Sequence, residues 1–246
     1  MYQIRINICN EYLHWIYAIE SNLKKSLKDL AVMVSRIGEK RSYYAFACEN
    51  KNKQEVMCTI KESLNDMLSK EAKWSFFDDA IVVPSLSCAE RNLLISALVE
   101  FDRESEKEII NKAYALSDGL CVDGVYNFLL KELKARWKEV LGLLKENSIF
   151  LVDKEVFYEL IKFLFSAIKP KVNKISIDFD GKAYLLRAFE GKRLRVAYTD
   201  EQLMCALIEY APIEIYFEQH FSKNSVMRNI SKLFNIKSGS AGNILK

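Results

Sequence analysis

Polar and apolar residues alternate from Tyr2 to Ile8, the period of a half-buried strand. The pattern then changes. Over residues 11–28, Tyr12, Ile16, Ile19, Leu23 and Leu27 recur at steps of three and four, which predicts a helix with one apolar stripe. Alternation returns at Leu30–Arg36 and Ser42–Cys48 on either side of Ile37-Gly38-Glu39-Lys40, so these segments predict a hairpin. Asn52 and Glu55 have the spacing of a capping box, opening a helix near 53–70 with Val56, Ile60, Leu64 and Met67 facing inward. The first section therefore predicts β-α-β-β-α, ending around residue 73.

The middle of the chain predicts helix throughout. Trp74, Phe76 and Phe77 fit a helix end, and Ala80–Val83 fits a short strand. Ser87 with Glu90 is a second capping box, for a helix near 88–100, and Asp102 starts another at about 103–117. Asp118-Gly119 predicts a turn. Val125, Leu129, Leu133, Trp137, Val140 and Leu144 then define one long helix over 122–147. Asp153 is placed to cap a helix at 154–168, which Lys169-Pro170 ends.

Beyond Pro170, Lys174–Phe179 and Ala183–Phe189 alternate around Asp180-Gly181, and Leu194–Ala197 follows a second turn at Glu190-Gly191. Thr199 with Gln202 is a third capping box. Its helix passes through Ala211-Pro212 directly into an apolar strand, Ile213–Phe217, and Ser222 caps a last helix. The fold class is α+β, with a β-α-β-β-α module at residues 1–73, a helical region at 74–168 and a β-β-β-α-β-α module at 169–246.

Composition narrows the function classes. Half of the 246 residues are apolar, enough for a sizeable core, and eight Gly and three Pro exclude collagen-like or low-complexity chains. No apolar run reaches the length of a membrane span: Phe157–Ile168 is broken by Glu159 and Lys162. Six cysteines, at positions 9, 48, 58, 88, 121 and 205, are scattered without a Cys-x-x-Cys, which fits free thiols in a reducing cytoplasm. Net charge is +3, but residues 1–168 carry 23 basic and 25 acidic side chains while 169–246 carry 13 and 8. The C-terminal module is thus mildly basic.

Three stretches resemble a known family. They are Cys121-Val-Asp-Gly-Val-Tyr-Asn-Phe-Leu-Leu before a long helix, Glu155-Val-Phe-Tyr-Glu-Leu-Ile-Lys-Phe-Leu-Phe, and Thr199-Asp-Glu-Gln-Leu-Met-Cys-Ala-Leu-Ile-Glu-Tyr-Ala-Pro-Ile-Glu-Ile. Together they resemble the YtxC-like sporulation protein family over roughly residues 88–235. Leu129-Leu130 stand where that family has an Arg, and the tail beyond Phe234 lacks the family's cysteines. The resemblance implies a cytoplasmic protein of spore-forming Firmicutes. It supplies no catalytic residue, cofactor or metal ligand.

Candidate chemistry is sparse. His220 with Glu214 or Glu218, the Asp178–Asp180 pair at a hairpin, and Asp78-Asp79 are the acid–base candidates, without a nucleophile motif or phosphate-binding glycine loop. Basic residues group at Lys169, Lys171 and Lys174, at Lys192, Arg193 and Arg195, and at Lys223, Arg228 and Lys232, a pattern suited to phosphates. Phe157, Tyr158, Phe163 and Phe165 crowd more than one side of a helix, and Trp15 and Tyr17 lie off the main stripe of theirs, as in a central helix or a partner-binding face. The leading expectation is a non-enzymatic interaction or structural protein with a protein partner or self-association. Nucleic-acid binding through Lys192, Arg193, Arg195, Lys223, Arg228 and Lys232 is the alternative, and an enzyme using the 178–180 carboxylates the third.

Overall fold

The computed structural model describes residues 1–188, 193–217 and 224–234. In chain order the elements are β1 (Tyr2–Cys9), α1 (Leu13–Ser26), β2 (Ala31–Ile37), β3 (Arg41–Cys48), α2 (Lys53–Met67), α3 (Lys73–Ala80), α4 (Cys88–Glu100), α5 (Arg103–Ala113), β4 (Gly119–Cys121), α6 (Val122–Gly124), α7 (Lys131–Glu146), α8 (Lys154–Ala167), β5 (Val172–Phe179), β6 (Tyr184–Ala188), β7 (Arg193–Ala197), α9 (Asp200–Tyr210), β8 (Pro212–Phe217) and α10 (Asn224–Leu233). The α+β class and both terminal strand–helix orders agree with the sequence patterns. The division of the chain lies elsewhere: Met1–Ala80 with Arg103–Leu143 form one compact unit, and Ile81–Asp102 with Leu144–Lys246 form another. The expected central helical segment is thus split between two hydrophobic cores.

In the first unit the sheet order is β2-β3-β1-β4. β1 and β3 pair antiparallel from Tyr2↔Cys48 to Cys9↔Arg41, β2 and β3 pair from Ala31↔Cys48 to Ile37↔Ser42, and β4 joins β1 in parallel. Alternation sorts the side chains by face. Ile4, Ile6, Ile8, Tyr44 and Phe46 point into the core, and Tyr44 lies near Glu20 and Tyr17 of α1. α1 packs on α2, and Trp15 is buried against Tyr12 and Tyr126, donating to Ser75 Oγ at 2.9 Å. Lys73 Nζ, also buried, reaches Glu106 Oε2 at 2.8 Å, and Trp137 Nε1 donates to Glu106 Oε1 at 2.8 Å.

In the second unit the order is β7-β6-β5-β8, with β5·β6 and β6·β7 antiparallel and β5·β8 parallel. Both sheets therefore place two antiparallel pairings beside one parallel pairing. α4 is buried at every position from Leu93 to Glu100, polar only at Ser96 and Glu100, and central to its core. It packs against α8 and α9, and α10 packs on α8. Glu100, buried on α4, is ion-paired to Lys171. Between α9 and β8, Ala211 adopts a left-handed φ of 40°, which lets Pro212 start the strand without a connecting loop.

Several expected features change form. Ser87 and Glu90 form the capping box, and Asp153 and Thr199 cap their helices. Asn52 makes no cap hydrogen bond, because a 3₁₀ turn at Asn50–Asn52 leads into α2 and its amide donates to Leu30 O instead. Ala80–Val83 is no strand: α3 continues to Ala80. The middle is not wholly helical, since Gly119–Cys121 pairs with β1 as β4. The helix expected over 122–147 is broken, because a π turn at Val125–Leu129 ends at Leu130 before α7 begins. A second π turn, Leu68–Ala72, joins α2 to α3 in one helical run. Among the described residues no helix is long and apolar enough to cross a membrane.

Candidate functional site

The first sheet buries one face and leaves the other open. Register places Val32, Ala47 and Gln3 in one row of the open face, Val34, Ala45, Arg5 and Gly119 in the next, and Arg36, Tyr43, Asn7 and Cys121 in a third. On β3 this face presents the small Ala45 and Ala47, and Tyr43, which is half exposed. β2 is its edge strand and pairs only with β3 among the described residues. Val32, Val34 and Ile37 are 67%, 61% and 63% exposed, so this edge is both unpaired and apolar. It contains one charge, Arg36, and neither Pro nor a bulge, the devices that usually protect a sheet edge. A groove of about 700 Å³ adjoins its N-terminal end, lined by apolar residues such as Leu30, Ala31 and Val32 together with the charged Lys28, Asp29, Glu49 and Lys51.

A polar cluster closes the other end of the sheet. Arg41 Nη2 lies 2.6 Å from Asp123 Oδ1 and donates to Asn7 Oδ1 at 2.6 Å and to Cys121 Sγ at 3.1 Å. The Cys9 amide donates to Asp123 Oδ1 at 3.0 Å. Burial opposes ionisation of Asp123, but the bonds from Arg41 and the Cys9 amide outweigh it and hold the carboxyl below its ordinary value. Asn10 Nδ2 bridges the hairpin by donating to Gly38 O and Glu39 O, and Ser42 Oγ donates to Asn10 Oδ1. The cluster ties β1, β3 and the start of α6 together; its donors and acceptors answer one another.

Among the described residues the acid–base candidates do not converge. Asp180 Oδ1 accepts from the amides of Lys182 and Ala183, which lowers its pKa and makes it the turn residue of the β5–β6 hairpin. Asp178 accepts from the Phe179 amide. Asp78 and Asp79 occupy the last turn of α3 in the other unit. Glu214 accepts from Tyr216 Oη at 2.6 Å and faces Lys174 at 3.5 Å. His220, Glu218 and the Ser222 cap lie outside the described residues. Among the described residues no group of His, Cys, Asp and Glu has the geometry to hold a metal ion.

The basic candidates divide between engaged and exposed side chains. Arg195 Nη1 is 2.9 Å from Glu209 Oε2 on α9, Lys171 is paired with Glu100, and Lys232 Nζ sits 4.9 Å from the centre of the Tyr158 ring. Arg193 is exposed at the edge strand β7 and Arg228 is exposed on α10; Lys192 and Lys223 lie outside the described residues. The aromatic residues of α8 divide: Phe157 is buried and Phe165 packs on Phe234, while Phe163 is 65% exposed. Trp15 is core and Tyr17 is half exposed.

The open edge and face of the first sheet went unread in the sequence. The alternation of Ala31–Ile37 showed a strand, but edge position is a property of pairing, and β3 inserts between β1 and β2 only in three dimensions. Compared with protein-family models, with curated proteins and with solved structures, the chain finds no match in any of the three.

Proposed function

We propose that the protein is a non-enzymatic interaction protein of the cytoplasm of sporulating Firmicutes, and that β2 is its working edge. The observation that carries this reading is the unpaired, apolar edge of β2, with Val32, Val34 and Ile37 all more than half exposed. An edge of this kind binds by accepting another strand: main-chain hydrogen bonds supply affinity and alternate side chains supply selectivity. The sporulating cell rests on the resemblance of Cys121–Leu130, Glu155–Phe165 and Thr199–Ile215 to the YtxC-like family. Spore counts in a deletion strain test both parts. Wild-type protein restores sporulation, whereas Val34→Lys, which charges the edge, does not; restoration by Val34→Lys to the wild-type level overturns the edge reading, and undiminished sporulation of the deletion strain overturns the cellular role.

The open face favours a second reading, nucleic-acid binding, at a place other than the C-terminal basic residues. Arg5 and Arg36 are exposed on it beside Tyr43, and the rows across β2, β3 and β1 hold no carboxylate. An open sheet face with an aromatic ring on a central strand and flanking guanidinium groups suits single-stranded nucleic acid, whose bases stack and whose phosphates pair with Arg. Fluorescence polarisation with labelled single-stranded RNA and DNA at two salt concentrations decides. Binding lost in Arg5→Glu with Arg36→Glu supports it, and binding unchanged in that double variant overturns it.

A further inference from the structure

Resting on the reading of β2 as a strand-accepting edge, we infer that its occupant is a second copy of this chain, paired antiparallel across a two-fold axis at Val34. Closed symmetric pairs require a surface that complements itself. β2 has this property when Val34 lies opposite Val34 of the second copy. Val32 then meets Arg36, Met33 meets Ser35 and Ala31 meets Ile37, each twice. The two Arg36 side chains fall on opposite sides of the axis, about 13 Å apart at the rise of a strand, so no like charges face each other. Sliding the register until Arg36 lies on the axis would stack the two guanidinium groups.

The fit extends past the strand. The same register brings Ile37 of one copy opposite Ala31 of the other, beside a groove whose lining joins Leu30, Ala31 and Cys48 to the charged Lys28, Asp29, Glu49 and Lys51. Ile37 is 63% exposed in the single chain, with its helix-side face uncovered. An exposed branched side chain and the apolar stretch Leu30–Val32, at opposite ends of one edge strand, become reciprocal partners under a two-fold. The product is a continuous eight-stranded sheet in which neither copy retains β2 as an open edge, which removes the aggregation hazard of that strand.

Light scattering on the full chain, run by size exclusion over a range of concentrations, tests the inference. The wild type gives the mass of two chains and dissociates on dilution, and Val34→Lys gives one chain with unchanged far-UV circular dichroism. In a background with Cys58, Cys88 and Cys121 replaced by Ser, Val34→Cys cross-links to a dimer on mild oxidation while Met33→Cys does not, because only position 34 opposes itself. A wild-type monomer at every concentration, or a dimer that Val34→Lys leaves intact, overturns the second copy as occupant. Hydrogen exchange then separates the two levels. A monomer whose β2 amides gain protection from an alternating Val-Thr nonapeptide keeps β2 as a binding edge with another partner; a monomer whose β2 amides gain none overturns the edge as well.

Discussion

Arg41 grips Asp123 with both ends of its guanidinium group, Nη2 at 2.6 Å from Oδ1 and Nη1 at 3.3 Å from Oδ2. The two residues are 82 positions apart, and the pair fixes the start of β3 to the first turn after β4. Asp123→Asn removes the ion pair but leaves an oxygen for the Cys9 amide. The partly exposed setting limits the loss to about 1 kcal/mol at neutral pH, read from urea unfolding. Because the folded pKa of Asp123 is depressed, its stabilisation is complete above the unfolded value of about 3.9 and is lost as pH falls through the lower folded value. The gap between wild type and Asp123→Asn therefore closes as unfolding is measured at progressively lower pH below 4.

Glu106 is the acceptor for both Lys73 and the Trp137 indole inside the first core. Glu106→Ala takes the counter-charge from a buried ammonium and costs about 3–5 kcal/mol. Glu106→Gln keeps an oxygen for the indole and costs less. Urea unfolding followed by tryptophan fluorescence ranks the two variants, and equal costs would contradict the assigned role of the charge.

Ser87 and Glu90 reciprocate at the start of α4, and Lys154 pairs with the same Glu90. Ser87→Ala removes one cap acceptor and lowers stability by about 1 kcal/mol. A cycle with Lys154→Ala measures coupling between the cap and the ion pair. The two losses are expected to be non-additive, because both substitutions act on one carboxylate.

Gly38 in the β2–β3 hairpin has no room for a methyl group, since a Cβ there would stand 2.8 Å from the Arg41 carbonyl oxygen. Gly38→Ala must shift backbone rather than side chain and costs about 1–3 kcal/mol. Gly142, with open space around its Cβ position on α7, gives the opposite sign: Gly142→Ala adds up to about 1 kcal/mol. Thermal unfolding of the pair of variants checks both directions.

The six thiols are free and differ in access. Cys58, Cys88 and Cys121 are exposed, Cys9 and Cys205 are half-buried, and Cys48 is buried. Burial also pushes the Cys205 thiol up, which lowers its thiolate fraction. Under native conditions iodoacetamide should label positions 58, 88 and 121 first and Cys48 only on unfolding, as read by peptide mass spectrometry.

Local patterns in the sequence carried most of the elements. Alternation gave β1, β3 and β5, and the oxygen-bearing caps at Ser87, Asp153 and Thr199 marked helix starts, because both signals lie within a few residues. What depended on distant partners was hidden. β4 has only three residues and exists through its register with Arg5–Asn7. Asn52 has cap chemistry, yet Leu30 O, 22 positions away, captures its amide. The open β2 edge requires knowing that β3 lies between β1 and β2, and the Arg41–Asp123 pair that β1 lies between β3 and β4. The pairing of basic residues was hidden for the same reason: Glu209 and Glu100 meet Arg195 and Lys171 only after folding.

The π turn at Leu68–Ala72 acts as a one-residue wedge in an otherwise α-helical run. Before it, Val56, Ile60, Leu64 and Met67 mark the inner side; beyond it, Ala72, Lys73 and Phe77 do. An uninterrupted spiral would have carried Glu71 and Trp74 inward and swung the Lys73 ammonium out to water. A chain lacking a single residue in this wedge would run as unbroken α-helix and keep Lys73 turned toward Glu106, so the wedge absorbs one surplus residue while preserving the rotation of α3.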